Sequence, residues 1–311
     1  MRILVTAVGG DIGQTIVRVL RRWDTVRYIA GTDLHENHVG KLRVDNFSIV
    51  PRADDPKYID AILALCSRQK IDAVIPVNEN EIVALSDASS ASAEIEKMLI
   101  VARGIGIRSC FDKHECHRFL ESKGIPVPWT VLSSVSPPEY PCILKKKKGS
   151  GSKGFAILRN EAEWKFFASR EKDTIVQQYL LPDDEEYTCG VFRSRFSPEV
   201  RVVSLKRKLM GGLTGTAEVV VDREIHEYCA AIATALDLRG SINIQLRRTA
   251  SGPRLLEINP RFSSTAGFRD ATGFKDVVWS IQEACGTEAE PYHPESIAGR
   301  KFFRFFDEIY V

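Results

Sequence analysis

At 311 residues, with 44% apolar and 27% charged side chains, the chain has the composition of a soluble globular protein and enough length for a sizeable core. A net charge of +2 excludes nucleic acid or an anionic membrane as a bulk electrostatic partner, and no apolar run reaches membrane-spanning length. Seven cysteines, without a C-x-x-C pair, predict reduced thiols and a cytoplasmic setting.

Residues 1–108 alternate strand and helix patterns, which predicts an open parallel α/β sheet. RILVTAV, RYIAGTD, FSIVP and DAVIPV read as strands, and IGQTIVRVLRRW and YIDAILALCSRQK as helices. The acidic stretch Asn78-Glu79-Asn80-Glu81 reads as a loop at the carboxyl end of the fourth strand, where ligands of such sheets gather. The N-terminal turn also approaches a dinucleotide fingerprint, with Gly10, Gly13 and Asp33 at suitable spacing. Val8 occupies the first glycine position, which disfavours an NAD-dependent oxidoreductase.

A second domain is expected over 109–311. Asp112 and Glu115 form a capping box, followed by the apolar stripe Cys116, Phe119 and Leu120 and the stop Lys123-Gly124. From 109 to 175 a small α+β lobe is predicted, with strands PCILK and GFAIL flanking a glycine loop that contains Gly149, Gly151 and Gly154. Small residues let backbone N–H groups approach phosphate, and Lys145, ending the entering strand, supplies a cation beneath them. The lobe over 176–311 opens with the end of the strand TIVQQYL, which suits an adenine seat, followed by an acidic run that ends at Glu186 and offers a carboxylate to ribose. In SLKRKLM, Lys206 and Lys208 share one face and Arg207 the other; one of them reaching phosphate and a merely exposed basic edge strand are equally compatible with the pattern. The terminal KFFRFFDEIYV reads as a strand apolar on both faces, buried or covered by a second copy of the chain in a homodimer. Cys110, His114, Cys116 and His117 match no standard zinc spacing and read as ordinary helix residues.

SINIQL and LLEINPR, separated by Ala250-Ser251-Gly252-Pro253, predict a hairpin. Folding about Ser251 pairs Gln245 with Glu257, Ile244 with Ile258 and Leu246 with Leu256. That register gathers Gln245, Glu257 and Asn259 on one polar face, an oxygen-donor set suited to Mg2+ with nucleotide phosphates. Arg261 follows as a fixed cation, and Arg269 is either an anchor for a substrate carboxylate or acyl phosphate, or a helix-surface residue.

In this order, Asp112-Lys113, GIPVP, CILK with the glycine loop, QQYL, EEYTCG, Gln245 and LLEINPRFSS resemble the ATP-grasp superfamily, and within it the carbamoyl phosphate synthetase-like branch. The resemblance spans essentially the whole chain, since that branch also carries a preceding Rossmann-like domain. It implies that Lys113 and Lys145 contact ATP phosphates, Gln178, Tyr179 and Leu180 meet adenine, and Glu186 binds ribose. It further implies that Gln245, Glu257 and Asn259 hold one or two Mg2+ (or Mn2+) ions and that Arg261 stabilises the transferring phosphoryl group. The chain departs from the family at Gln178, where Glu is usual, and near Leu213, where a phosphate-contacting His is replaced. With a single ATP-grasp unit, the resemblance implies a stand-alone, ADP-forming ligase joining a small-molecule carboxylate to an amine or another nucleophile. A nucleotide-binding protein without turnover is the other outcome.

Overall fold

The computed structural model describes residues 1–149, 155–293 and 297–310. Gly151 and Gly154 of the glycine loop lie outside the described residues. The N-terminal unit is a four-stranded parallel sheet, ordered β3-β2-β1-β4, from β1 (Arg2–Val5), β2 (Tyr28–Asp33), β3 (Asn46–Ile49) and β4 (Ala73–Ile75). Its faces alternate as the sequence pattern requires. Ile3 and Val5 pack with Ile16 and Leu20 of α1 (Asp11–Arg21), while Leu4 packs with Ile62 and Leu65 of α2 (Tyr58–Gln69).

The stretch expected as an acidic loop is instead a helix start. Asn78 caps α3 (Glu79–Ser89) by accepting from Asn80 N, and Glu81 turns inward to accept from Thr6 Oγ1 at 2.6 Å. An Asn N-cap followed by acidic residues in the first turn suits the positive end of a helix, which is why this segment winds rather than loops. After α4 (Ala93–Met98), Asp112 caps α5 (Lys113–Ser122) through His114 N and Glu115 N. The reciprocal half of the expected capping box is absent, since Asp112 N donates to Ser109 O.

Two antiparallel sheets follow. The smaller, ordered β5-β8-β6-β7, contains β5 (Thr130–Leu132), β6 (Cys142–Lys146), β7 (Ala156–Leu158) and β8 (Thr174–Gln178), with α6 (Glu161–Ala168) after β7. This sheet therefore runs to Gln178, past the expected end of the small lobe at 175. The larger sheet, ordered β13-β12-β9-β10-β11-β14, comprises β9 (Glu186–Arg193), β10 (Val200–Met210), β11 (Leu213–Val220), β12 (Gly240–Thr249), β13 (Gly252–Asn259) and β14 (Lys301–Phe303). Ile232 and Leu236 of α7 (Arg223–Ala235) and its C-cap cover one face of this sheet, packing on Val191, Ile242 and Ile244. Trp279 of α9 (Asp276–Ala284), which follows α8 (Ala266–Asp270), packs against Phe192 on the other.

Two expectations change here. SLKRKLM forms the end of β10, an inner strand: Ser204, Leu205 and Lys206 pair on both sides, and the rest pairs with β11 alone. Among the described residues of the terminal segment, strand pairing is confined to Lys301–Phe303, and Phe305, Phe306 and Tyr310 stand at least 73% exposed. Among the described residues, no helix is long and apolar enough to cross a membrane.

Candidate functional site

The β12–β13 hairpin builds the floor of the site. Its register pairs Asn243 with Asn259, Ile244 with Ile258 and Gln245 with Glu257, as the alternation dictates. The pairing then shifts, and Leu246 meets Leu255 rather than Leu256. Leu256 is the extra residue of a β-bulge, and such residues leave the ladder and re-aim their groups. Its carbonyl accepts from Lys145 Nζ, at the end of β6, at 2.9 Å. The bulge thereby ties the small sheet to the large one.

Lys113, at the start of α5, reaches the same place. Its Nζ lies 3.3 Å from Glu257 Oε2 and donates to Gly149 O at 2.7 Å. Burial pushes the Glu257 carboxyl up, but Lys113 and Lys145 outweigh that and hold it below the usual carboxylate range. Burial, reinforced by the neighbouring Lys113, brings the Lys145 ammonium down to about 8 despite the opposing pull of Glu257. His117, unremarkable in the sequence, is buried beside Lys145, and burial with that neighbouring charge lowers its pKa to about 4. Its neutral ring bridges Lys113 O, 2.6 Å from Nδ1, and Gln177 Nε2, 2.8 Å from Nε2.

The other two oxygen donors are each held by an arginine. Gln245 Oε1 accepts from Arg207 Nη2 at 2.7 Å, and Asn259 Oδ1 accepts from Arg261 Nη2 at 2.7 Å. Arg207 also donates to Glu186 Oε1, and Arg247 Nη2 donates to Glu186 Oε2 at 3.1 Å. Arg247 further ties Leu180 O and Asp183 Oδ1. Arg207 is one of the three cations that the sequence offers in SLKRKLM, whereas Arg247 carries no signal there. Lys206, on the opposite face of β10, is bound to Glu185, so the cation of SLKRKLM that faces the cavity is Arg207.

Lys113, Lys145, Glu186, Arg207, Gln245 and Glu257 line a cavity of about 590 Å3 between the two sheets. Its lining combines the apolar Ile143, Ile157, Leu180 and Leu256 with the charged Lys113, Lys145, Arg207 and Glu257. Of the three residues expected to meet adenine, Tyr179 and Leu180 line this cavity and Gln178 does not. The period-two alternation turns Gln177 inward, and the Gln178 amide donates outward to Glu139 Oε1 at 3.2 Å.

Arg261 forms the wall towards a second cavity of about 740 Å3, which reaches the N-terminal sheet. Lys148 and Gly149 line both cavities, and Asp11, Asn78 and Glu79 line the second. Arg261 lies 3.8 Å from Glu79 Oε1.

Arg269 is in neither cavity and is no surface residue. It is fully buried, 3.2 Å from Asp276 Oδ2, which also accepts from Ser241 Oγ. Gly190 makes room for it, since a Cβ there would lie 2.5 Å from its Cδ and Nη1. Gly190→Ala is expected to cost about 1–3 kcal/mol of stability through this overpacking, read as a lower denaturant midpoint at unchanged slope.

The dinucleotide-like turn is closed from within. A Cβ on Gly40 would meet Val8 O at 2.0 Å, and one on Gly9 would meet His38. Asp33, the ribose partner of such sites, accepts from Gly9 N and Leu34 N instead.

Residues 170–301 match the family described as ATP-grasp in the biosynthetic pathway with Ter operon, and residues 3–100 match the PylC-like N-terminal domain. Residues 170–301 are thus similar to ATP-grasp proteins. It is 38% identical over 123 residues to a D-alanine–D-alanine ligase of Petrotoga mobilis, 38% of each chain. It is 23% identical over 248 residues to the carbamoyl phosphate synthase large chain of Thermoplasma acidophilum, covering 71% of this chain and 24% of that one. The matches thus span well under half the length of these curated relatives. Among solved structures, the ADP complex of purK, an N5-carboxyaminoimidazole ribonucleotide synthetase, superposes with a TM-score of 0.73 at 19% identity, covering 92% of this chain and 76% of that one. At that identity the likeness establishes the ATP-grasp fold.

Proposed function

We propose that this protein is an ADP-forming ligase that activates a small carboxylate as an acyl phosphate and passes it to an amine. The observation that carries this reading is the convergence of Lys145, from the small sheet, with Glu257, from the large one, in a cavity that apolar side chains also line. Adenine fits against Tyr179 and Leu180, and Glu186, in the same lining, suits ribose. The triphosphate then lies against Lys113, Lys145 and Arg207, under the backbone of Gly149.

The donor set around Glu257, one carboxylate and two amide oxygens, fits Mg2+ or Mn2+, hard cations that take few protein ligands alongside phosphates. Glu257, Asn259 and Gln245 would hold the ion, which supplies charge neutralisation at the transferring phosphoryl group. Bound phosphate competes for Arg207 and Arg261, and so releases the Gln245 and Asn259 oxygens that these arginines hold. The lobes over 109–175 and 176–311 act as the two jaws of the ATP-grasp domain, and 1–108 as the separate N-terminal domain.

In the first step a carboxylate oxygen, seated in the second cavity, attacks the γ-phosphorus; the bond to the β-phosphate oxygen breaks and ADP leaves. Lys145 and Arg261 stabilise the charge spreading over the transferring group. The amine nitrogen then attacks the acyl carbon, phosphate departs, and the amine proton goes to solvent. Asp11 and Glu79, in the second cavity, suit a substrate that carries an ammonium group.

The order of steps is testable. With Mg-ATP, a panel of amino acids and other carboxylates and hydroxylamine in place of the amine, the matching acid is expected to give a hydroxamate and equimolar ADP. Release of AMP and pyrophosphate would mean adenylation and would overturn the reading, as would ATP binding without any turnover across the panel.

A further inference from the structure

Outside the cavities already described, the carboxyl end of β2 gathers a carboxylate and two imidazoles. We infer that Asp33, His35 and His38 hold a borderline transition-metal cation of the Zn2+ class, in a site separate from the oxygen donors around Glu257.

One ligand atom from each of the three residues lies within 4.8 Å of the others. The His38 side chain is 9% exposed, and neither of its ring nitrogens has a hydrogen-bond partner. A neutral imidazole always carries one N–H and one lone pair, so leaving both buried without a partner is unfavourable. A metal ion on one nitrogen relieves part of that. His38 Nε2 lies 3.8 Å from Asp33 Oδ2, and the His35 and His38 ring centroids are 5.7 Å apart. The Phe47 ring meets His38 edge-on at 5.3 Å and limits its rotation.

Asp33 is oriented in the way metal-binding carboxylates usually are. Gly9 N donates to Oδ2 at 2.8 Å and Leu34 N to Oδ1 at 2.7 Å, which fixes the carboxylate while leaving a lone pair on each oxygen. Two imidazole nitrogens with one carboxylate oxygen favour Zn2+ and its neighbours over Mg2+, which prefers oxygen alone. Three protein ligands leave a fourth position open, and His38 also lines a cavity of about 850 Å3 that carries Arg18, Lys41 and Arg43. The hydrogen bond from Gly9 links the ion to the Gly9-Gly10 turn, and Gly10 borders the proposed substrate cavity. Occupancy therefore stiffens one wall of that cavity.

The test uses the full chain carrying Cys285→Ser, because Cys285 is the one exposed thiol among the described residues. ZnCl2 is titrated calorimetrically into metal-stripped protein in the presence of excess Mg2+, with Co2+ absorption as the coordination signature. One equivalent is expected to bind, with His35→Ala and His38→Ala each weakening binding by about 10-fold or more and Glu257→Gln leaving it unchanged. His35 is exposed, so its variant decides the matter even if His38→Ala fails to fold. Wild-type affinity in His35→Ala, loss of binding in Glu257→Gln, or no saturable equivalent in the parent would each overturn the assignment. None of these outcomes depends on ligase activity, so a failed ligase reading leaves this site standing.

Discussion

Exchanging Glu257 for glutamine is expected to cut ADP release by roughly 100- to 1,000-fold while the protein stays folded. Glu257 is the one carboxylate among the three proposed metal donors, and Gln245 and Asn259 contribute only neutral amide oxygens. Charge stabilisation by a bound divalent ion is worth several kcal/mol at the transition state, and about 3–4 kcal/mol corresponds to two or three decades in rate. The fold is expected to tolerate the change because glutamine matches the shape and the resulting charge imbalance has an outlet. Lys145, already lowered to about 8, loses the carboxylate that supports its proton and becomes neutral near physiological pH. Lys113 keeps its bond to Gly149 O. A coupled ADP assay across Mg2+ concentrations, beside a thermal melt shifted by only a few degrees, checks both halves. Wild-type turnover at limiting Mg2+ would show that the ion is not held at Glu257.

The residues that made Glu257 visible in the sequence belong to a local pattern. Strand alternation over SINIQL and LLEINPR sets which side chains share a face, and a turn between them sets the register to within one residue. The bulge at Leu256 could not be read that way, because it depends on a carbonyl meeting Lys145 from another sheet. The same limit explains Arg207. Alternation separated it from Lys206 and Lys208, but choosing the face that meets the cavity requires knowing that β9 and β11 flank β10. Arg247 was overlooked because its partners, Leu180, Asp183 and Glu186, are distant in the chain. Gln178 was assigned to adenine by family position, yet β8 turns Gln177 to the cavity, and alternation along TIVQQ was the available signal. Arg269 is the instructive miss. A charged residue in a polar stretch reads as exposed or functional, and its burial against Gly190 and Asp276 left only one trace in the sequence, a glycine inside the strand YTCGVF.

Lys145 gives the second large effect, and one with a sign that can be worked out. Its pKa falls from an ordinary 10.5 to about 8 chiefly because burial penalises the ammonium, with Lys113 adding repulsion that Glu257 only partly offsets. Between those two values the unfolded chain binds more protons at this position than the folded one. Stability therefore carries the full burden of the buried charge below about pH 8, and this group contributes rising stability from there to pH 10.5. Activity moves the other way, because the protonated form is the one that holds phosphate. The kcat/KM for ATP, which reports the free enzyme, is expected to fall tenfold per pH unit above about 8. The limb in kcat should lie at higher pH, since bound phosphate favours the ammonium. Lys145→Met removes a charge-assisted contact worth about 1.5–3 kcal/mol, and so lowers kcat/KM by roughly 10- to 100-fold at neutral pH. Lys145→Arg, a cation at every accessible pH, should abolish the alkaline limb even where its different shape lowers the plateau. A limb near pH 8 that persists in Lys145→Arg would assign the titration to another group, and the phosphate contact would then have to be sought at Lys113 or Arg207.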